Sequence, residues 1–90
     1  MSKNQIALSS IAMDLKRVAL GYHRGSIKTA SRFLDEAIKR KSDVDTTTVK
    51  PYVKNLLQKI DSLKKEKDTN RIAEDALMYS TLFQNAALIS

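Results

Sequence analysis

Apolar residues recur every three or four positions in four stretches of the chain, and polar segments separate the stretches. This spacing is typical of amphipathic α-helices, whose apolar side chains fall on one side. It predicts helices at about 5–22, 26–41, 49–65 and 70–88. The third has the clearest pattern, with apolar positions at Val49, Tyr52, Val53, Leu56, Leu57, Ile60 and Leu63.

Residues that can cap a helix start precede each stretch, namely Asn4, Ser26, Thr48, and Asp68 or Thr69. Pro51 fits the first turn of the third helix, where its missing N–H has no partner to lose. Gly21 and Gly25 bracket the end of the first helix, since either can take a left-handed conformation. These signals support the four proposed boundaries.

Short connections between these helices require each helix to run antiparallel to the one before it. We therefore expect an all-α fold, a small antiparallel (up-down) four-helix bundle formed by a single domain over residues 1–90. The alternative is a three-helix bundle in which the first two helices are partly fused, because residues 22–24 suit either of them.

Two helices carry more apolar residues than one core stripe requires. In the first helix, Ile6, Met13 and Leu20 recur every seven residues on the side opposite the main stripe. In the fourth helix, Leu77 and Leu88 lie to one side of the stripe, and Met78, Leu82 and Ile89 lie on or near the other. Surplus apolar surface of this kind marks interaction sites. It predicts a homodimer or a helical protein partner.

The chain is basic, with 16 Lys and Arg against 10 Asp and Glu and a formal net charge of +6. Part of this charge forms one face of the second helix, which we expect to combine with lysines of the third. The candidate residues for binding nucleic acid or an acidic protein are Arg24, Lys28, Arg32, Lys39, Lys50 and Lys54.

Composition excludes several classes of site. The 90 residues include no Cys, so disulfides and Cys-based zinc sites are excluded. His23 is the one histidine and has no carboxylate close in sequence, so we expect no metal site. No phosphate-binding glycine loop occurs, and we expect no cofactor and no small-molecule substrate. Without a secretory signal or a long apolar run, the expected location is cytoplasmic, with no membrane contact.

Two partial resemblances to known families follow from short patterns. The spacing of Arg17 and His23 is similar to the Arg/His pair of HEPN-type helical bundles, some of which are metal-independent RNases. That resemblance covers two residues and implies His23 as a general acid or base and Arg17 as a phosphate stabiliser. Ala30, Leu34 and Ala37 resemble the small-large-small step of a tetratricopeptide second helix, which implies helix packing only.

The surplus apolar surface favours a small non-enzymatic helical interaction or adaptor protein that self-associates. The alternative is a weak, sequence-independent nucleic-acid-binding protein that uses the basic helix face. A third hypothesis, a HEPN-like RNase, depends on Arg17 and His23 alone.

Overall fold

Four α-helices pack as a ring in a computed structural model that describes residues 2–90. They are α1 (Lys3–His23), α2 (Ile27–Arg40), α3 (Pro51–Lys65) and α4 (Thr69–Leu88), with a 3₁₀ turn at Lys41–Asp43. Each helix packs against the next, α4 closes the ring against α1, and the backbones of the diagonal pairs stay apart, so these pairs share only side chains in the core. The predicted four-helix bundle is confirmed. The three-helix alternative is wrong, because residues 24–26 separate α1 from α2.

Two of the expected helix starts differ from the structure. Ser2, not Asn4, caps α1, where its hydroxyl accepts from Gln5 N–H and the Gln5 side chain accepts from Ser2 N–H. The third helix starts at Pro51, and Lys50 rather than Thr48 occupies its N-cap position. At α4 the prediction is confirmed: the Asp68 carboxylate accepts from two backbone N–H groups of the first turn.

Asn4 and Thr48 act instead on the loop that joins α2 to α3. The Asn4 amide donates to the Thr48 hydroxyl at 2.9 Å and accepts from Asp45 N–H at 2.9 Å. Within the loop, the Thr47 hydroxyl and N–H both donate to the Asp45 carboxylate, which lowers the pKa of Asp45. The hydrogen bonds from Asn4 attach this loop to the start of α1, and the loop therefore crosses the end of the bundle.

Small residues bring α1 close to both of its neighbours. Gly21 lies so near α2 that a Cβ placed there would be 2.9 Å from the Ala30 Cβ. On the other side, the Ser80 hydroxyl of α4 reaches the Ala12 carbonyl at 2.7 Å. Only short side chains separate the helices at these points, so α1 is the centre of the packing.

The third helix contacts the bundle through larger side chains. Its buried residues are Val53, Leu56, Leu57, Ile60 and Leu63, five of the seven positions that the sequence pattern indicates for the core. The other two differ: Tyr52 is 43% exposed, and Val49 is half-buried because it precedes the helix, which starts at Pro51. The turn that follows Lys65 is short, so α4 starts close to where α3 ends. The core therefore lies between a closely packed pair of helices, α1 and α4, and a third helix attached by long apolar side chains.

Leu56→Ala should destabilise the protein strongly, because it empties part of this core. Leu56 is buried, and the loss of such a side chain costs about 2–5 kcal/mol. Thermal unfolding should shift down by at least about 8 °C in a domain of this size. Gln58→Ala, at an exposed position on the same helix, is the control and should move the midpoint little. A shift of only a degree or two for Leu56→Ala would show that this face of α3 is misplaced.

Gly21→Ala should also destabilise, although alanine favours helices over glycine by about 1 kcal/mol. The added methyl group overlaps Ala30, and such overpacking costs about 1–3 kcal/mol. Denaturant unfolding of three variants tests this: Gly21→Ala, Ala30→Gly and the double variant. The double variant should recover part of the stability that Gly21→Ala loses. An increase in stability for Gly21→Ala alone would contradict the close contact.

Candidate interaction surfaces

An exposed apolar face runs along the outside of the α1–α4 pair. Met13 and Leu77 line the same surface groove of about 320 Å³, together with polar residues of both helices. Helical spacing places Ile6 and Leu20 on the side of α1 that carries Met13, and Leu88 on the side of α4 that carries Leu77. We call the set the α1/α4 apolar face; it consists of Ile6, Met13, Leu20, Leu77 and Leu88, which are between 43% and 72% exposed.

Few charges line the central groove of this face. The groove between the two helices is lined by Ala12, Met13, Lys16, Leu77, Ser80, Thr81, Gln84 and Asn85. Lys16 is its one charged residue. The cores of protein interfaces are similarly depleted of charge and retain neutral polar groups. The α1/α4 apolar face therefore has the composition of an interface.

The second surplus set, Met78, Leu82 and Ile89, lies on α4 alone. These side chains are 39% to 62% exposed. Helical spacing places Arg71 within about 40° of these side chains around the α4 axis. The Arg71 Nε atom lies 4.0 Å from Oδ2 of Asp75. The structure thus separates the two sets that the sequence singles out: one spans two helices, and the other forms a shorter strip beside charged residues.

The basic residues of α2 form a ridge on its outer side. Arg24 lies at the cap position after α1, and Lys28, Arg32 and Lys39 follow along α2, all exposed. We call these four residues the α2 ridge. The buried residues of the helix, such as Leu34, lie on the opposite side. Asp35 lies within the ridge and is paired with Lys64 of α3.

Lys50 and Lys54 lie away from this ridge. Lys54 borders a groove of about 330 Å³ with Lys41 and residues of α3. Lys50 borders a larger groove of about 420 Å³ at the end of the bundle, with residues of the α1 start and the α4 end. Neither groove is lined by a residue of the ridge. The six basic candidates are therefore divided into one ridge and two separate positions.

Arg17 joins the basic surface from α1. Its guanidinium carbon lies 5.3 Å from the centre of the Phe33 ring, and that of Arg32 lies 5.1 Å from the same centre. Phe33 is half-buried, so the ring holds two arginines on one small area at the α1–α2 boundary. No sequence pattern indicates this arrangement, since the arginines are 15 positions apart and lie on different helices.

Asp14 is a buried carboxylate between α1 and α2. Arg40 Nε donates to its Oδ2 at 2.8 Å, and Arg17 Nη1 lies 3.6 Å from its Oδ1. The Asp14 side chain is 5% exposed, whereas both arginines keep contact with solvent. The ion pairs hold the end of α2 against the middle of α1. Sequence reasoning missed Asp14, because a single carboxylate in an amphipathic helix is most often exposed to solvent and its neighbours Met13 and Leu15 indicate no partner for it.

The two residues of the HEPN-like pattern lie apart on α1. Six positions on a helix separate side chains by about 120° around the axis, and Arg17 is directed to Asp14 and Phe33. His23 is exposed at the last position of the helix. Within residues 2–90, no three His, Asp, Glu or Cys side chains gather as metal ligands would.

Comparison with protein-family models, curated proteins and solved structures finds no match. Across residues 2–90, no helix combines the length and apolar character needed to cross a membrane. The candidate surfaces are therefore assessed from their own residues.

Asp14→Asn should destabilise the α1–α2 contact. The substitution removes the negative charge that Arg40 and Arg17 face. Both arginines can turn to solvent, so we expect a loss of about 1–3 kcal/mol rather than the full cost of a buried unpaired charge. Asp61→Asn removes the exposed ion pair with Lys41 and serves as the control, with an expected loss below about 1 kcal/mol. Chemical denaturation measures both, and equal losses would contradict a special role for Asp14.

Proposed function

We propose that this protein is a small non-enzymatic helical module that self-associates through the α1/α4 apolar face. The observation that carries the proposal is the groove shared by Met13 and Leu77, since it joins the exposed apolar residues of two helices into one surface. A face on two antiparallel helices suits a two-fold dimer, in which each helix pair packs on its copy.

Energetic magnitudes support a reversible dimer. A symmetric dimer buries the five large side chains of the face from each of two subunits, ten in all, and each of them is about half buried in the monomer already. At about 1.5–3 kcal/mol for a complete side chain, their burial yields roughly 8–15 kcal/mol. Association itself costs roughly 4–15 kcal/mol. The apolar gain is thus of the same size as the cost, which favours a weak complex over a permanent one.

The α1/α4 apolar face is preferred over the strip of Met78, Leu82 and Ile89 for two reasons. It offers five large side chains on two helices, whereas the strip offers three on one. Its groove also contains a single charge, while Arg71 and Asp75 lie near the start of the strip. A homodimer through the strip remains the alternative arrangement that the experiment below distinguishes.

Met13→Lys should convert the dimer to monomer without unfolding it. A lysine at this position brings two like charges together across a two-fold interface, in addition to Lys16. Met78→Lys is the matched control, because Met78 and Met13 are 50% and 53% exposed. Light scattering on a size-exclusion column measures the mass, and circular dichroism verifies that helicity is unchanged.

Three outcomes would contradict the proposal. A wild-type protein that is monomeric at about 100 μM does not self-associate at the strength expected of a functional dimer. Dissociation by Met78→Lys instead of Met13→Lys would assign the interface to the strip on α4. Loss of helicity together with dissociation in Met13→Lys would show that Met13 stabilises the fold of the subunit.

A further inference from the structure

The α2 ridge has the geometry of a linear cationic surface. Lys28, Arg32 and Lys39 fall within about 40° of one another around the helix, and Arg24 lies in the turn that precedes α2. At 1.5 Å per residue, the helical part of the ridge, from Lys28 to Lys39, extends over about 16 Å. It faces away from the buried side of α2, so a partner reaches it without opening the bundle.

The acidic residues of α2 are compensated by lysines. Asp35 pairs with Lys64, and Glu36 lies 3.9 Å from Lys39. Within residues 2–90, Arg24, Lys28 and Arg32 form no ion pair. The ridge therefore retains a positive charge that the protein itself does not neutralise.

Arg17 and Arg32 extend this charge toward α1 in a restrained arrangement. Both guanidinium groups lie over Phe33, which limits the orientations that they sample. Arginine held in this way binds phosphate oxygens with less loss of conformational freedom. The same contacts cover the Phe33 ring, so it is not free to stack on an unpaired base.

We propose that the α2 ridge, together with Arg17, binds the phosphate backbone of double-stranded nucleic acid without reading its base sequence. A duplex presents regularly spaced phosphates along a line, which matches a row of cations better than a compact acidic patch does. Single strands are bound largely by stacking on exposed aromatic rings, and the ridge offers none. The α2 helix also lacks Asn and Gln, the residues that read adenine.

Binding of a labelled mixed-sequence DNA duplex, followed by fluorescence anisotropy, tests the proposal. With three to four phosphate contacts, since Lys39 is paired with Glu36, the affinity should fall by about 40- to 150-fold between about 50 and 200 mM salt. Lys28→Gln should weaken binding equally for duplexes of different sequence. It should also reduce the slope of log affinity against log salt by about one. Arg32→Gln should do the same.

Lys59→Gln is the matched control. Lys59 is exposed on α3, and its substitution removes the same charge. It lies about 140–160° around that helix from Asp61, which pairs with Lys41 just after α2, and from Lys64, which pairs with Asp35 of α2. It should leave the salt slope unchanged. An equal loss for Lys59→Gln would show that net charge alone drives binding, which overturns the assignment to the ridge.

Further results would also overturn the proposal. Absence of binding at about 50 mM salt removes nucleic acid as the partner. Equal affinity for polyglutamate indicates an acidic protein instead, and tighter binding to a single strand overturns the preference for a duplex. The Met13→Lys variant, measured in parallel, separates this site from self-association, because its monomer keeps the whole ridge.

Discussion

The close approach of α1 to both of its neighbours is the constraint on which the rest of the structure depends. Gly21 lets α2 approach at one end of α1, and Ser80 of α4 reaches the backbone of Ala12 near its middle. Because α2 and α4 occupy the two flanks of α1, its other side chains can point only inward to the core or outward to the surface. The inward side chains form the core with α3, and the outward ones, such as Met13, are left at the surface.

This arrangement links packing to the candidate surfaces. Because small residues join α1 to α4, the two helices are near enough for Met13 and Leu77 to border one groove. Because α2 also lies close, Arg17 reaches the ring of Phe33 beside Arg32. The apolar face and the basic surface thus adjoin on α1, where Arg17 follows Met13 by one helical turn, whereas the α2 residues of the ridge lie on a helix that carries none of the apolar face. Self-association through α1 and α4 is compatible with binding of an anionic partner along α2.

Polar contacts between residues that are distant in sequence define how the helices are aligned. Asp14 accepts from Arg40, which fixes the end of α2 against the middle of α1. At the other end of the bundle, Asn4 binds the loop that leads into α3. Apolar packing alone permits neighbouring registers, whereas a buried carboxylate is satisfied in few of them. These polar side chains therefore contribute specificity in addition to stability.

Local pattern determined the four helices, the antiparallel order and the core residues of α3, since periodicity and short connections act within one or two elements. The same pattern singled out Met13 and Leu77 as surplus apolar positions. Only the tertiary structure decided that these two share a groove, that Arg17 meets Phe33, and that Asn4 binds a loop rather than caps a helix. Such contacts join residues that are distant in sequence. They depend on how closely the helices approach, and the small residues at each helix contact determine that distance.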